Sequence, residues 1–159
     1  MTQAQIESPF DAEFVEGMRS IFEDKIVFNR LLGLKMRALG HDFVSAELTM
    51  KPELVGHFAY NRLHGGVISA ALDAMGGTAC MAALGARYID QPVDQRLAHF
   101  MKMGTIDLRI DYLRTSIGER FTMRADVLRL GSRVGNTRME FKGEDGKLLA
   151  VGSGAYIVS

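Results

Sequence analysis

The chain has few of the residues that build covalent or metal-bound frameworks. Its 159 residues include one cysteine, three prolines and no tryptophan. The single Cys80 cannot form an intrachain disulfide or a cysteine-rich metal site, and no His, Asp or Glu residues have the spacing of metal ligands. We therefore expect a protein of a reducing compartment, the cytoplasm, that needs neither a metal nor another cofactor.

The chain also lacks net charge and an export segment. Its 19 Lys and Arg residues balance 19 Asp and Glu residues, which argues against nucleic-acid and membrane partners. The first twenty residues show no basic stretch followed by an apolar run, so we expect no signal peptide. An apolar segment at 67–86 contains Asp73 and three glycines. Its composition favours a buried helix over a membrane span.

Hydrophobic periodicity predicts an α+β domain. Apolar residues recur at helical spacing from about residue 10 to residue 30, which predicts an amphipathic helix. Alternating apolar and polar residues predict six strands, at 33–39, 43–50, 106–112, 121–127, 137–142 and 149–158. The apolar helix falls between the second and third of them, and residues 87–103 are expected to form an irregular connection.

The long apolar helix constrains how these elements assemble. A sheet that curls around this helix buries it most economically, so we expect about five to six antiparallel strands wrapped around one central helix. We assign residues 1–30 to an N-terminal helical extension and residues 31–159 to the domain itself. The exposed edges of such a sheet favour dimerisation.

The start of the apolar helix has the composition of an acyl-transfer site. Gly65 and Gly66 fall where the helix begins, so their unpaired backbone N–H groups can hold a developing oxyanion. Asp73 is the only charged residue of 67–86, and a carboxylate there needs a partner or a function. Plainer alternatives are a turn at the glycines and a structural role for Asp73. For His64 we favour capping or a structural role in the core.

These residues, together with two later segments, resemble the hot-dog fold acyl-CoA thioesterases, especially the phenylacetate-degradation type and bacterial medium- and long-chain enzymes. The resemblance runs from about Leu31 to Ser159. It depends on Leu63–Gly66, on Asp73, and on segments 104–114 and 146–152. It implies a homodimer or dimer of dimers with composite active sites, which hydrolyses an acyl-CoA to free acid and coenzyme A.

The resemblance also implies roles for individual residues. The backbone N–H of Gly65 or Gly66 polarises the thioester carbonyl, and Asp73 acts as general base or nucleophile. The hydroxyl of Thr105 matches a position where relatives carry a Ser or Thr that helps to place the water. These four residues are the centre of the predicted catalytic site.

One position departs from the pattern of the family. Several relatives carry an Asn six residues before the histidine, where this chain has Phe58. We let His57 or Asn61 stand in for that Asn. A related alternative is a hydroxyacyl-thioester dehydratase, which needs a histidine base such as His64 or His57. A non-catalytic acyl-CoA binding protein is a third possibility, because fold does not fix function.

The spacing of Gly65 and Asp73 along the helix favours a dimer. Gly65 and Asp73 are eight residues apart, about 12 Å on one helix, whereas one reacting carbonyl needs both groups within about 3 Å. Two antiparallel copies of the helix satisfy this requirement.

Arg129, Ser132 and Arg133 surround a tight turn and are candidates for binding the phosphates of coenzyme A. A solvated hairpin explains these residues equally well.

Overall fold

A computed structural model describes residues 6–159. Its helices are α1 (Ala12–Ser20), α2 (Val27–Leu32), α3 (Gly65–Arg87) and α4 (Val93–Ala98), with a π-helical turn at Ile21–Lys25. Its strands are β1 (Lys35–Leu39), β2 (Phe43–Thr49), β3 (Val55–His57), β4 (Arg62–Leu63), β5 (Gly104–Tyr112), β6 (Arg120–Leu130), β7 (Val134–Gly143) and β8 (Leu148–Ile157). Short 3₁₀ turns occupy 52–54, 58–60 and 99–102. The predicted α+β arrangement with one long central helix is confirmed.

The main sheet wraps around α3. Its six strands run in the order β1-β2-β6-β7-β8-β5, and each neighbouring pair is antiparallel. Strands β2, β6 and β7 bury alternate residues against the helix, as in Phe121, Met123 and Ala125 of β6. On α3, Leu72 and Met75 are fully buried against this sheet. Among residues 6–159, α3 alone is long and apolar enough to cross a membrane, but 67% of its most apolar window is buried inside the domain.

The N-terminal segment is not one continuous helix, so that prediction is wrong in its detail. The helix loosens into a π turn and breaks at Ile26, whose backbone is extended (φ −75°, ψ 95°). Just before the break, the buried Glu23 carboxylate turns inward and accepts a hydrogen bond from the backbone N–H of Met36 (2.9 Å), which holds the π turn against β1. The Asn29 side chain then bridges the break by donating to the carbonyl of Phe22 (3.0 Å). The assigned boundary between residues 30 and 31 falls inside α2 and stays a prediction.

The segment between α3 and β5 is more ordered than the irregular connection that the sequence predicted. It contains α4, which packs on α1. The buried Arg96 donates to the Asp11 carboxylate (2.6 Å), and its guanidinium lies 4.6 Å from the ring centre of Phe14. Leu97 fills the space beside Gly17, where an added Cβ would lie 2.3 Å from Leu97 Cδ1. These contacts fix the segment after α3 against the N-terminal helix.

The two edges of the main sheet differ in cover. Strand β1 is flanked by Glu7, which pairs with Ala38, so the N-terminal segment covers part of that edge. Strand β5 pairs with β8 on one side only, and within residues 6–159 no strand pairs with its other side. The nine residues of β5 therefore present an open row of backbone donors and acceptors.

Candidate active site

Asp73 and Thr105 are in direct contact. Asp73 is half-buried on α3, and its Oδ1 accepts a hydrogen bond from the Thr105 hydroxyl of β5 (2.9 Å). A β-bulge directly after Thr105, at Ile106, shifts the register of β5 against β8; such bulges re-aim side chains near active sites. Within the described part of the chain, Asp73 Oδ2 has no hydrogen-bond partner, so it is available to accept a proton.

The backbone around Asp73 is fixed by a buried tyrosine. The Tyr156 hydroxyl donates to the Asp73 carbonyl oxygen (3.1 Å). Burial, with a smaller effect of the Asp73 charge, raises the pKa of Tyr156 far above its usual range, so the phenol remains a neutral donor. Gly76 leaves the space that this ring needs, since a Cβ there would lie 2.2 Å from the Tyr156 oxygen. The contact with Tyr156 therefore fixes the backbone position of Asp73 relative to β8.

A cavity of about 140 Å³ opens beside this pair. Its wall comes from four separate parts of the chain: Ile26 of the N-terminal segment, one face of α3, the stretch from Phe100 to Thr105, and Tyr156 of β8. Most of the wall is apolar. The carboxylate of Asp73 therefore lies at the boundary between a polar contact and an apolar space.

At the start of α3, one of the two predicted glycine donors is already occupied. His64 is the N-cap, and its Nδ1 accepts a hydrogen bond from the backbone N–H of Gly66 (2.8 Å). This is the capping role that we favoured for His64, and it removes Gly66 as a free donor. The backbone N–H of Gly65 has no acceptor among residues 6–159. The backbone N–H of Gly65 can therefore donate a hydrogen bond to an anion at this helix N-terminus.

Gly65 also lines a second, larger cavity of about 400 Å³. The Tyr112 hydroxyl at the end of β5 donates to the Gly65 carbonyl (2.8 Å). Two arginines, Arg62 and Arg114, line the same cavity. No role was predicted for either arginine: Arg114 ends the segment 104–114 that carries the family resemblance, and Arg62 lies just before Leu63–Gly66, but nothing in the sequence indicates that the two line one cavity.

The two candidate substitutes for the missing Asn are not brought to Asp73. The ring of His57 is exposed and lies against Tyr60, with ring centres 4.9 Å apart. Asn61 has a left-handed backbone (φ 47°), which Asn adopts more readily than most residues. It lines a third cavity together with Phe58, away from Asp73. Any contribution of His57 or Asn61 to catalysis stays a prediction.

The predicted phosphate-binding turn lies at the other end of α3. Arg87, the last residue of the helix, donates to the carbonyls of Leu130 and Gly131 in the β6–β7 turn. Arg129, Ser132 and Arg133 are exposed around this turn. Fourteen residues separate Asp73 from Arg87, which corresponds to about 21 Å along the helix. The structure therefore does not bring these three residues to the carboxylate.

Two other kinds of site to consider among the described residues are a metal centre and a reactive cysteine. Within residues 6–159, no group of three or more His, Cys, Asp or Glu side chains is placed to hold a metal ion. Burial raises the pKa of the Cys80 thiol to about 12. The Cys80 sulfur is therefore a buried, un-ionised thiol and a poor nucleophile.

The six-stranded antiparallel sheet wrapped around one long helix is the hot-dog fold of the thioesterases. The chain belongs to the thioesterase superfamily, whose family model matches residues 60–150. This match covers the start of α3, Asp73 and Thr105, and it ends within β8. The expected fold family and enzyme class are thereby confirmed.

Individual relatives agree with this assignment. The chain is 37% identical over 131 residues to the medium/long-chain acyl-CoA thioesterase YigI of Escherichia coli K12, covering 82% of this chain and 84% of that protein. A crystal structure of a thioesterase-superfamily protein from Shewanella oneidensis has a TM-score of 0.87 and 37% identity, covering 96% of this chain and all of that chain. A thioesterase family protein from Silicibacter pomeroyi, at 19% identity and a TM-score of 0.71, covers 91% of this chain and 96% of its own. At that identity, the likeness concerns the fold alone.

Proposed function

We propose that the protein is a cytoplasmic acyl-CoA thioesterase that hydrolyses a fatty or aromatic acyl-CoA to the free acid and coenzyme A. The observation that carries the proposal is the Asp73–Thr105 hydrogen bond at the wall of an apolar cavity. An acyl thioester has a polar reacting centre attached to an apolar chain, and this arrangement has both environments side by side. The likeness to an enzyme named for medium- and long-chain acyl-CoA supports the same substrate class.

The proposed reaction uses two groups that have no hydrogen-bond partner among residues 6–159, the Oδ2 atom of Asp73 and the backbone N–H of Gly65. Thr105 holds Asp73 by Oδ1, and Oδ2 takes a proton from a water molecule as the water oxygen attacks the thioester carbon. The carbonyl electrons move to oxygen, where the Gly65 N–H stabilises the developing negative charge. Collapse of this intermediate breaks the carbon–sulfur bond, and the departing thiolate takes the proton from Asp73. In the nucleophilic variant, the carboxylate attacks first and water hydrolyses the resulting anhydride.

One protomer cannot place both groups on the same carbonyl. Gly65 and Asp73 both lie on α3, so eight residues of helix, about 12 Å, separate them. We therefore propose that the Gly65 amide comes from a second subunit. A two-fold axis between the helices brings the partner subunit's Gly65 beside Asp73 and creates two equivalent sites.

The open edge of β5 supports this homodimer. Thr105, near one end of β5, contacts Asp73, whereas Tyr112, at its other end, contacts Gly65. Antiparallel pairing of two β5 edges about the middle of the strand sets the Thr105 end of one subunit beside the Tyr112 end of the other. The two-fold inferred from the strand thus coincides with the one inferred from the helix. A further association of two such dimers stays part of the proposal.

In this dimer, the coenzyme A phosphates fall near Arg62 and Arg114, because both line the cavity that contains Gly65. We expect Arg114→Ala to raise the KM for acyl-CoA about 5- to 10-fold with a small change in kcat, since a charge-assisted contact to phosphate is lost. Arg133→Ala serves as the matched arginine removal at the distant turn. Steady-state kinetics at two salt concentrations measure both variants. A KM increase in Arg133→Ala alone would favour the turn as the phosphate site.

Thiol release from a panel of acyl-CoA substrates, from acetyl to palmitoyl with phenylacetyl and benzoyl members, tests the activity itself. Hydrolysis of any member establishes the thioesterase. If the protein instead hydrates enoyl-CoA or dehydrates hydroxyacyl-CoA, the dehydratase alternative gains support. Tight binding without turnover would indicate an acyl-CoA binding protein.

A further inference from the structure

The cavity beside Asp73 has the character of an acyl-chain compartment. Ile26 and Phe100 supply apolar walls, and no Lys or Arg of the described chain lines it. The hydroxyl of Thr78 is already used, because it donates to the carbonyl of Ala74 (2.7 Å). An alkyl chain finds apolar contacts in this cavity, whereas a phosphate finds no cation.

We infer that Ile26 and Phe100 form a wall that sets the acyl-chain length, so the N-terminal helical segment takes part in substrate selection. This inference rests on the proposed acyl-CoA thioesterase function. The match to the thioesterase superfamily begins at residue 60, so Ile26 lies outside it. Selectivity is thereby assigned to a part of the chain that the family match does not include.

The break in the N-terminal helix is what places Ile26. Its extended backbone separates the π turn from α2, and its side chain reaches the cavity wall. The hydrogen bond from Asn29 to the Phe22 carbonyl closes the chain around this break. Ile26 is therefore held in a defined conformation beside the cavity.

The cavity is too small to hold a long acyl chain, so such a chain has to reach the wall formed by Ile26 and Phe100. An apolar cavity of about 150 Å³ holds benzene, so a space of about 140 Å³ accommodates a unit of about six carbons. A longer chain has to extend past the part of the wall to which Ile26 and Phe100 contribute. Apolar side chains continue beyond both residues, with Val27 63%, Phe28 55% and Met101 84% exposed. This surface is where we place the distal carbons of a longer acyl chain.

Gly77 provides independent support, because packing does not require a glycine there. A Cβ at Gly77 would make only ordinary contacts, 3.8 Å from the ring of Tyr156, whereas one at Gly76 would overlap that ring. Glycine within a helix is unfavourable relative to alanine. Gly77 lines the cavity, so its missing side chain leaves room for the substrate.

The experiment measures kcat/KM for straight-chain acyl-CoA substrates from butyryl to palmitoyl. In Ile26→Ala and Phe100→Ala, we expect the ratio of long-chain to short-chain kcat/KM to rise about tenfold, and the preferred length to increase by about two carbons. In Gly77→Ala, we expect the long-chain value to fall about tenfold, with short-chain activity kept and the Tm unchanged or higher. Leu128→Ala, at an exposed position of β6, is the matched control and should keep the wild-type profile.

Two results would overturn the inference, and they differ. If the wild-type protein hydrolyses acyl-CoA and all three variants keep its chain-length profile, Ile26, Phe100 and Gly77 do not select the chain, although the thioesterase assignment stands. If the wild type hydrolyses no acyl-CoA, the proposed function fails and the inference fails with it. Should Ile26→Ala or Phe100→Ala not fold, the smaller truncations Ile26→Val and Phe100→Leu replace them, and Gly77→Ala, in which alanine favours the helix, tests separately whether the cavity holds the acyl chain.

Discussion

Replacing Asp73 by Asn is expected to lower kcat for acyl-CoA hydrolysis by about 10³-fold, because it removes the group that takes the proton from water. The amide keeps the size of the side chain, and its oxygen still accepts the hydrogen bond from Thr105. We therefore expect the Tm and the oligomeric state to stay close to those of the wild type. Thiol release, thermal unfolding and size-exclusion chromatography measure the three quantities.

The matched control is Asp90→Asn, which removes an exposed carboxylate after α3 and should leave activity unchanged. If Asp73 is instead a structural carboxylate, Asp73→Asn lowers the Tm and disturbs assembly while the remaining folded protein keeps its turnover. Retained hydrolysis in a stable Asp73→Asn variant would eliminate Asp73 as base or nucleophile. Retained acyl-CoA binding without turnover agrees with the proposal.

Gly65→Pro is expected to reduce kcat about 10²- to 10³-fold, because proline has no backbone N–H to stabilise the oxyanion. The structure suits this substitution. Gly65 is the first residue of α3, where proline is well accepted, and His64 already has the extended backbone (φ −67°, ψ 134°) that a following proline requires. The fold should therefore survive the change.

Gly65→Ala is the matched control, because it adds a Cβ but keeps the N–H. That Cβ lies 3.3 Å from the Tyr112 ring, a contact that a small shift of this exposed side chain relieves. We expect Gly65→Ala to keep most of the activity. Equal losses in the alanine and proline variants would mean that the site is sensitive to bulk at Gly65, and would argue against an oxyanion role for its amide.

Much of the fold could be predicted because its signals are local. Alternation of apolar and polar residues marks the strands, and the apolar segment around Asp73 marks the buried helix. The break at Ile26 could not be predicted in this way. The segment around it is held by contacts between residues distant in sequence, such as Glu23 with the backbone of Met36, and hydrophobic periodicity does not report such contacts.

In the candidate site, too, residues with a local sequence signal could be predicted, whereas those placed by long-range contacts could not. Asp73 and Gly65 were predicted because a lone carboxylate and a glycine at a helix start are unusual in their local context. A capping role for His64 was also predicted, but which amide of the first turn its side chain takes depends on one rotamer and needed the structure. Arg62 and Arg114 line one cavity only in the folded chain, where the Leu63 N–H donates to the Ser116 carbonyl, and for that reason no role was predicted for either.

The composite site is tested most directly by mixing two inactive variants. Asp73→Asn and Gly65→Pro subunits are unfolded or dissociated together and allowed to reassemble in equal amounts. Each mixed dimer contains one site with an intact Asp73 and the partner subunit's intact Gly65. Random pairing makes half of the dimers mixed, so we predict recovery of about a quarter of wild-type activity. No recovery, in a sample shown to contain mixed dimers, would contradict an active site shared between two subunits.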